Sequence, residues 1–283
     1  MYTLIAQNQY GDALELTHNE AYAVTDITGF DPPEAQINTS HNAGADGSVF
    51  NSSYVSDREI IITLSVNYPA EENRINLYTY FKTKFPVRLY YKTSTRDVYI
   101  DGYVSKIDVQ YFEMKQIVQI TITCPKPYLI GTATSFQEFV NVNALFEFVF
   151  SIDENGIEFS TYDSYVEKNI INYGDVDAGM IIRIHATGTV STPTIYNVLT
   201  REFLTVNTTL TAGDEIYINT KLGEKAITLT HGGSTSSIVG LLEEGSTWFQ
   251  LTPSDNVFTL AAASGSLANL IVNFELENLY EGI

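Results

Sequence analysis

The sequence is poor in cysteine and in basic residues, and each shortage excludes a class of protein. Cys124 is the single cysteine among 283 residues, so the chain can form neither an internal disulfide nor a zinc site built from several cysteines. Lysine and arginine number 15 against 34 aspartate and glutamate residues, which gives a net charge of −19. Because nucleic acid and anionic membrane surfaces repel such a chain, we expect contact with neither.

Long hydrophobic runs are also missing. The longest uncharged stretch, Asn256–Phe274, is interrupted by Ala-Ser-Gly-Ser at its centre and by two asparagines, so it does not predict a membrane span. Met1–Ile5 has no basic residues of a secretory signal, and polar Asn8 and Gln9 follow at once. These features favour a soluble protein made in the cytoplasm.

Short alternating apolar runs predict a mainly β fold. Tyrosine (19) and phenylalanine (15) are frequent, and charged residues make up only 17% of the chain. In the run Ile60–Val66, every second residue is apolar and the residues between are mostly polar. Similar runs, bounded by Gly, Asn, Asp or Ser as sandwiches and barrels require, lie at Val118–Cys124, Met180–Ile184, Glu215–Asn219, Ala226–Thr230, Trp248–Leu251 and Leu270–Leu276.

One segment, residues 71–85, has the pattern of a helix. Ile75, Tyr78 and Phe81 recur every three residues, with Leu77 and Phe85 beside them. Acidic residues at its start and lysines at its end suit the helix dipole, and prolines lie at both sides. We therefore predict one helix that packs its Ile75/Tyr78/Phe81 stripe on the sheet.

The chain divides into two predicted domains. The prolines in Cys124–Tyr128 cannot continue a strand ladder, and a new aromatic run begins at Phe136. We place the boundary near residue 138, which gives an N-terminal domain of residues 1–138 and a C-terminal domain of residues 139–283. The first carries 10 basic and 16 acidic residues, net −6, and the second 5 and 18, net −13.

No catalytic, cofactor-binding or metal-ligating residues are predicted. The four histidines are scattered, and the HExxH, CxxC and GxSxG motifs are absent. Asp153–Gly156 resembles a calcium loop, but its glycine stands fourth where an EF-hand has it sixth, so an acidic β-turn is favoured. Asp175 and Asp177 have the same interpretation. Since 34 acidic residues offer many pairs, a glycoside hydrolase stays an open alternative.

Two single residues have a structural and a functional interpretation. Cys124 alternates with Val118, Ile120 and Ile122, which favours a buried, unreactive thiol. Trp248 is favoured as a buried core residue over a platform for stacking sugars.

The order of several short motifs resembles the distal tail proteins of long-tailed phages and prophages of Gram-positive bacteria. In the first half, these motifs are Asp46–Phe50, Arg58–Ile62, Asn73–Arg74, Pro86–Tyr91, Tyr99–Val104 and Cys124–Tyr128. In the second half, they are Asn172–Asp175, Gly188–Ile195, Leu210–Thr220, Ser246–Trp248, Leu251 and Asn256. The sequence departs from the family at Thr252–Asp255, where many relatives have a turn with glycine; Asp and Ser can also form such a turn.

The resemblance implies a structural protein of the virion, at the tail tip or baseplate. In such a family, N-terminal domains with one packed helix form a ring, usually a hexamer, and a β-hairpin belt links neighbours. The C-terminal domains are jelly-roll or galectin-like β-sandwiches at the periphery. The implied partners are other copies of the chain, the major tail tube protein, a tail-associated fibre or lysin protein, and in many relatives a receptor-binding protein; no cofactor is implied.

The residues suggest where a belt would lie, and they leave a second function open. Ile27–Phe50 is punctuated by Gly, Asn and Pro and has little core pattern, so we expect the belt there. We also expect self-association to reside in residues 1–138. The alternative is a carbohydrate-binding β-sandwich that recognises saccharides of the host cell wall, because fold alone does not define function.

Overall fold

The computed structural model describes residues 2–44, 46–111, 115–144, 160–164 and 167–283, and it divides the chain into two compact units. Unit 1 consists of Met1–Ala133 and Leu279–Ile283, and unit 2 consists of Thr134–Asn278. The last five residues therefore return to unit 1, whereas the division predicted near residue 138 assigns them to the second domain. Nothing in their local pattern signals that return.

Unit 1 is an antiparallel β structure with one helix. Its strands pair in the order β2-β1-β7-β8-β9-β6-β3, and β10 pairs with β8. The elements in chain order are β1 (Thr3–Asn8), β2 (Ala13–Glu15), β3 (Tyr22–Thr28), β4 (Ala35–Ser40), β5 (Val49–Val55), β6 (Arg58–Val66), α1 (Ala70–Tyr80), β7 (Pro86–Lys92), β8 (Asp97–Gln110), β9 (Gln116–Cys124) and β10 (Leu129–Glu138), the last of which continues into unit 2.

The core of unit 1 is built on β6 and β9, as their alternating patterns predict. These strands pair so that Ile60 lies opposite Ile122 and Ile62 opposite Ile120. All four side chains are fully buried. Opposite residues of an antiparallel pair share one face of the sheet, so the two apolar rows form one continuous surface.

The single predicted helix is confirmed, but its packing face differs from the prediction. Leu77 and Phe81 are fully buried, whereas Ile75 is 53% exposed. At 100° per residue, positions six apart lie on different sides of a helix, while positions four apart lie on one side. Residues 77 and 81 therefore form the buried row. The helix ends at Tyr80, before the predicted limit, because Phe81 leaves the helical region with φ −110° and ψ 71°.

Unit 2 is a β-sandwich. One sheet has the order β22-β14-β18-β19-β20, the other has the order β13-β21-β15-β16 with β17 paired to β15, and β11 pairs with β12. The strands are β11 (Val140–Ala144), β12 (Ser160–Ser164), β13 (Lys168–Asn172), β14 (Met180–Ala186), β15 (Val190–Asn197), β16 (Phe203–Thr205), β17 (Thr209–Leu210), β18 (Glu215–Asn219), β19 (Ala226–His231), β20 (Ser234–Ser237), β21 (Ser254–Gly265) and β22 (Leu270–Tyr280). Short 3₁₀ turns lie at Val239–Leu241 and Leu267–Asn269.

Aromatic rings join the two sheets of unit 2. Phe258 on β21 lies 5.7 Å from Phe274 on β22 and 5.2 Å from Phe249, and all three are buried. This contact between sheets confirms the predicted β-sandwich. The predicted strand Trp248–Leu251 is wrong: only Leu251 forms an isolated bridge, with Ala178. Among the described residues, no helix is long and apolar enough to cross a membrane.

Candidate assembly surface

A hairpin of unit 1 forms no sheet contact with the rest of the described chain. The strands β4 and β5 pair only with each other, from Ala35 opposite Val55 to Ser40 opposite Val49. We call Ala35–Val55 the arm. Every residue of its two strands is exposed except Val55, which is half-buried. An isolated two-stranded hairpin is marginally stable in water, and both outer edges of this one carry unpaired backbone groups. Such edges can pair with a further strand.

The arm exposes large apolar side chains and almost no charge. Ile37, Phe50 and Tyr54 are each about 60% exposed, and Val49 is exposed by half. Asp46 is the single acidic residue of the arm, which has no lysine or arginine. By the register of the hairpin, Ile37 and Phe50 lie on one face of the arm and Tyr54, opposite Gln36, lies on the other. Exposed large apolar groups of this kind are common at interaction sites. In a chain of net charge −19, it is also a surface that a second copy can approach with little repulsion.

The segment before the arm, Gly29–Phe30, is fixed in unit 1. Gly29 has φ +93°, and a Cβ atom there would lie 2.1 Å from the carbonyl oxygen of Glu59, so the position requires glycine. Phe30 is buried, and its ring centroid lies 5.1 Å from that of Tyr91. Pro32 and Pro33 follow, and they stiffen the chain that enters the arm.

Arg58 joins this segment to the end of the chain. It is 4% exposed, and its guanidinium donates hydrogen bonds to the carbonyl oxygens of Gly29 (3.0 Å) and Glu281 (2.6 Å). Burial lowers the pKa of the guanidinium, whose Nε has no hydrogen-bond partner. The Ile283 N–H also donates to the Phe30 carbonyl oxygen at 3.3 Å. We call these contacts the root of the arm. No local sequence signal predicts that Arg58 is buried, because arginine side chains are mostly exposed.

The arm overlaps the segment predicted as the belt and is a β-hairpin, but its limits differ from the prediction. The prediction covers residues 27–50, while the hairpin covers residues 35–55. Ile27 belongs to β3 and packs against the core of unit 1. A register shift between Val24 and Asp26 breaks the alternation of β3, and that irregularity hides the strand from the sequence pattern.

The residues considered as candidates for catalysis or metal binding do not form a cluster in the described part of the structure. Among the described residues, no three His, Cys, Asp or Glu side chains are placed to hold a metal ion. His231 Nδ1 lies 2.6 Å from buried Asp214, which also accepts hydrogen bonds from the N–H and hydroxyl of Thr211. The backbone N–H of Thr211, aided by His231, lowers the pKa of Asp214. This carboxylate closes a turn. The acidic loop Asp153–Gly156 lies outside the described residues.

Cys124 is fully buried, which confirms its predicted position on the inner face of β9. Burial raises the pKa of its thiol to about 12, so the reactive thiolate is scarce at neutral pH. The preferred interpretation of Trp248 is wrong, because its side chain is half-buried and the Lys225 Nζ lies 5.6 Å from its ring centroid. The neighbouring Phe249 occupies the core position instead.

The turn at Thr252–Asp255 shows how this chain replaces a glycine. Ser254 has φ +95°, a conformation that favours glycine. Buried Asn256 accepts a hydrogen bond from the Thr252 N–H at 3.1 Å and donates to the carbonyl oxygens of Thr252 (2.9 Å) and Ser254 (3.1 Å). The side-chain amide of Asn256 therefore stabilises a turn conformation that glycine would adopt without strain.

Comparisons with known proteins place this fold among phage tail proteins. Residues 173–275 match the family described as siphovirus-type tail component, C-terminal domain. The crystal structure of phage SPP1 Dit, described as a paradigm of the hub adsorption apparatus in phages infecting Gram-positive bacteria, is similar with a TM-score of 0.68, 14% identity and 99% coverage of both chains. A chain of the phage P2 baseplate in its activated conformation with Ca is similar with a TM-score of 0.53, 10% identity and full coverage of both chains. No curated protein matches the chain.

Residues 173–275, which include most strands of unit 2, are therefore similar to the C-terminal domain of siphovirus-type tail components. The resemblance of the sequence to the distal tail proteins of phages is confirmed, and the mainly β fold extends over nearly the whole chain.

Proposed function

We propose that this structural tail protein closes into a ring of six copies at the distal end of the phage tail. The observation that supports the proposal is the arm, a hairpin with exposed apolar residues that pairs with no other strand among the described residues. If each copy lends its arm to the next, every copy gives one interface and receives one. Such a head-to-tail contact forms a ring when the rotation between copies closes.

The distribution of charge favours a ring with unit 1 at its centre. Residues 1–138 carry net −6 and residues 139–283 carry net −13. Repulsion between copies falls with distance, so the lower free energy has the more acidic halves at large radius. The ring would join the tail tube to the tail tip, and unit 2 would offer the surface for fibre, lysin or receptor-binding proteins. Its role would be structural, without catalysis.

Light scattering on the full chain tests the role of the arm. In the variant, Ile37→Thr and Phe50→Thr remove two exposed apolar side chains from the arm; in the control, Leu222→Thr removes one that is 71% exposed in unit 2. We expect the wild type and the control to form a species of several chains, and the arm variant to shift toward monomer. At a concentration where wild type and variant are both monomeric, we expect the same melting temperature, because neither arm residue is buried in the single chain. An arm variant with wild-type mass over the whole concentration range would contradict the proposal.

The half-buried Trp248 gives a second candidate function a specific basis, because an accessible indole can stack on a sugar ring. Titration of wall saccharides against its fluorescence tests this function directly, since Trp248 is the single tryptophan. A saturable change at sub-millimolar saccharide would favour carbohydrate recognition by unit 2. A flat titration would leave protein docking as the function of this unit.

A further inference from the structure

We propose that the outer edge of β3 and the groove beside it form the acceptor for the arm of a second copy. This inference rests on the proposed ring, and it adds where in unit 1 the arm binds. It concerns an edge that the described residues leave unpaired, at one end of the strand order of unit 1.

The backbone of β3 has a free edge. Its pairing partner is β6, and no other strand pairs with it in the described part of the chain. The Asn67 N–H donates to the Ala21 carbonyl oxygen, while Tyr22 lies opposite Val66 and Val24 opposite Leu64. Hydrogen-bonded and non-hydrogen-bonded pairs alternate along an antiparallel ladder. Tyr22 and Val24 therefore direct their N–H and C=O groups away from β6. The Tyr22 N–H donates to the Asn19 carbonyl oxygen at 3.4 Å, so the groups of Val24 are the ones that an added strand can bind.

An open groove follows this edge. Two adjoining cavities of about 300 and 280 Å³ share Tyr2 and Val24 in their walls. Phe30 and Tyr91 also line the first cavity, and Leu16 lines the second. The groove lies between β3, at one end of the strand order of unit 1, and Tyr2 at the start of β1. Its aromatic and aliphatic walls suit the side chains of an incoming strand.

The arm fits this edge in length, charge and chemistry. β3 has seven residues, and the arm strands β4 and β5 have six and seven. Asp26 and Asp31 line the groove, and an acidic partner would be repelled there, but the strands of the arm carry no charge. Ile37 and Phe50, which are exposed and lie on one face of the arm, supply apolar groups for the cavities. The unpaired arm edges supply the backbone partners.

A proline substitution tests the backbone contact. Val24→Pro removes the outward N–H of β3, and edge strands tolerate proline where the N–H does not bond within the sheet. Val24→Thr has a similar shape, keeps the N–H and serves as the control. For Val24→Pro, we expect the concentration needed for half-assembly to rise about fivefold or more, as the loss of one interface hydrogen bond predicts. We expect the control to assemble close to the wild type.

Disulfide mapping gives a second test that does not depend on how well the proline variant folds. Chains with Ala23→Cys are mixed with chains that carry one cysteine at successive arm positions from 35 to 40 and from 49 to 55, and the mixture is oxidised. We expect cross-links between copies whose yield alternates along an arm strand, because successive side chains point to opposite faces. Native Cys124 is buried, so we expect it to form no cross-link.

The outcomes separate this inference from the proposed ring. If the wild type assembles but no arm position cross-links to residue 23 and Val24→Pro assembles normally, the acceptor lies elsewhere and the inference is overturned. If the wild type stays monomeric at every concentration, the ring itself is overturned. Cross-links that alternate along one arm strand establish both the acceptor and its occupant.

Discussion

Replacing Arg58 by methionine tests how the arm is anchored. The change removes two charge-assisted hydrogen bonds, to the carbonyl oxygens of Gly29 and Glu281, and leaves both acceptors without this donor. Such bonds contribute about 1.5–3 kcal/mol each. Part of that loss is offset, because the buried charge and its unpartnered Nε also disappear. We expect a net loss of about 2–3 kcal/mol in the free energy of unfolding of unit 1.

Two measurements follow this loss. Denaturant melts report the free energy of unfolding, and amide hydrogen exchange reports local opening at Gly29–Phe30 and residues 281–283. Arg58→Lys retains the charge but not the planar fork that binds two carbonyls, so we expect an intermediate effect. Arg183→Met is the control, because its side chain is 44% exposed and its ion pairs are 3.7 and 3.9 Å long. We expect this control to change stability by less than about 0.5 kcal/mol.

The result that refutes this reasoning is an Arg58→Met chain with wild-type stability and unchanged exchange at both segments. A loss of stability with faster exchange there supports the anchor. Because the root directs the arm, we also expect Arg58→Met to weaken assembly, although Arg58 lies in neither the arm nor the groove.

The remaining predictions concern buried groups. Phe81→Ala should lower the free energy of unfolding by about 3–5 kcal/mol in denaturant melts, and exposed Ile75→Ala by less than about 0.5 kcal/mol; equal effects would contradict the helix face. Cys124 should resist a thiol reagent in native buffer and react stoichiometrically after unfolding; fast native labelling would show an accessible thiol. The lowered pKa of Asp214 means that its carboxylate stabilises the fold above its ordinary pKa of 3.8, and that this contribution is lost as the pH falls through the lowered value. Asp214→Asn should therefore lower the melting temperature at neutral pH and lower it less in acid; a constant difference would show that ionisation plays no part.

The sequence predicts those strands that alternate strictly and are buried on one face. Ile60–Val66 and Val118–Cys124 satisfy that condition, and both lie in the core as predicted. The irregular β3 does not, because its register shift breaks the period of two. The helix pattern contains apolar residues at several spacings, and Leu77 with Phe81, not Ile75, turns out to face the sheet.

The sequence pattern does not predict features that depend on contacts between distant parts of the chain. Trp248 and Phe249 are adjacent, and only the packing against Phe258 decides that Phe249 takes the core position. Arg58 and Glu281 are 223 positions apart, so no local signal links them. The arm is the opposite case: its lack of a core pattern predicts that it does not pack within its own chain, and the structure shows it exposed.

Negative-stain imaging of the purified full-length chain, at raised salt to screen its charge, tests the central claim most directly. We expect rings of six copies with a central channel. We expect the Ile37→Thr, Phe50→Thr variant to form few of them. Single copies alone, at every salt and protein concentration, would contradict the account.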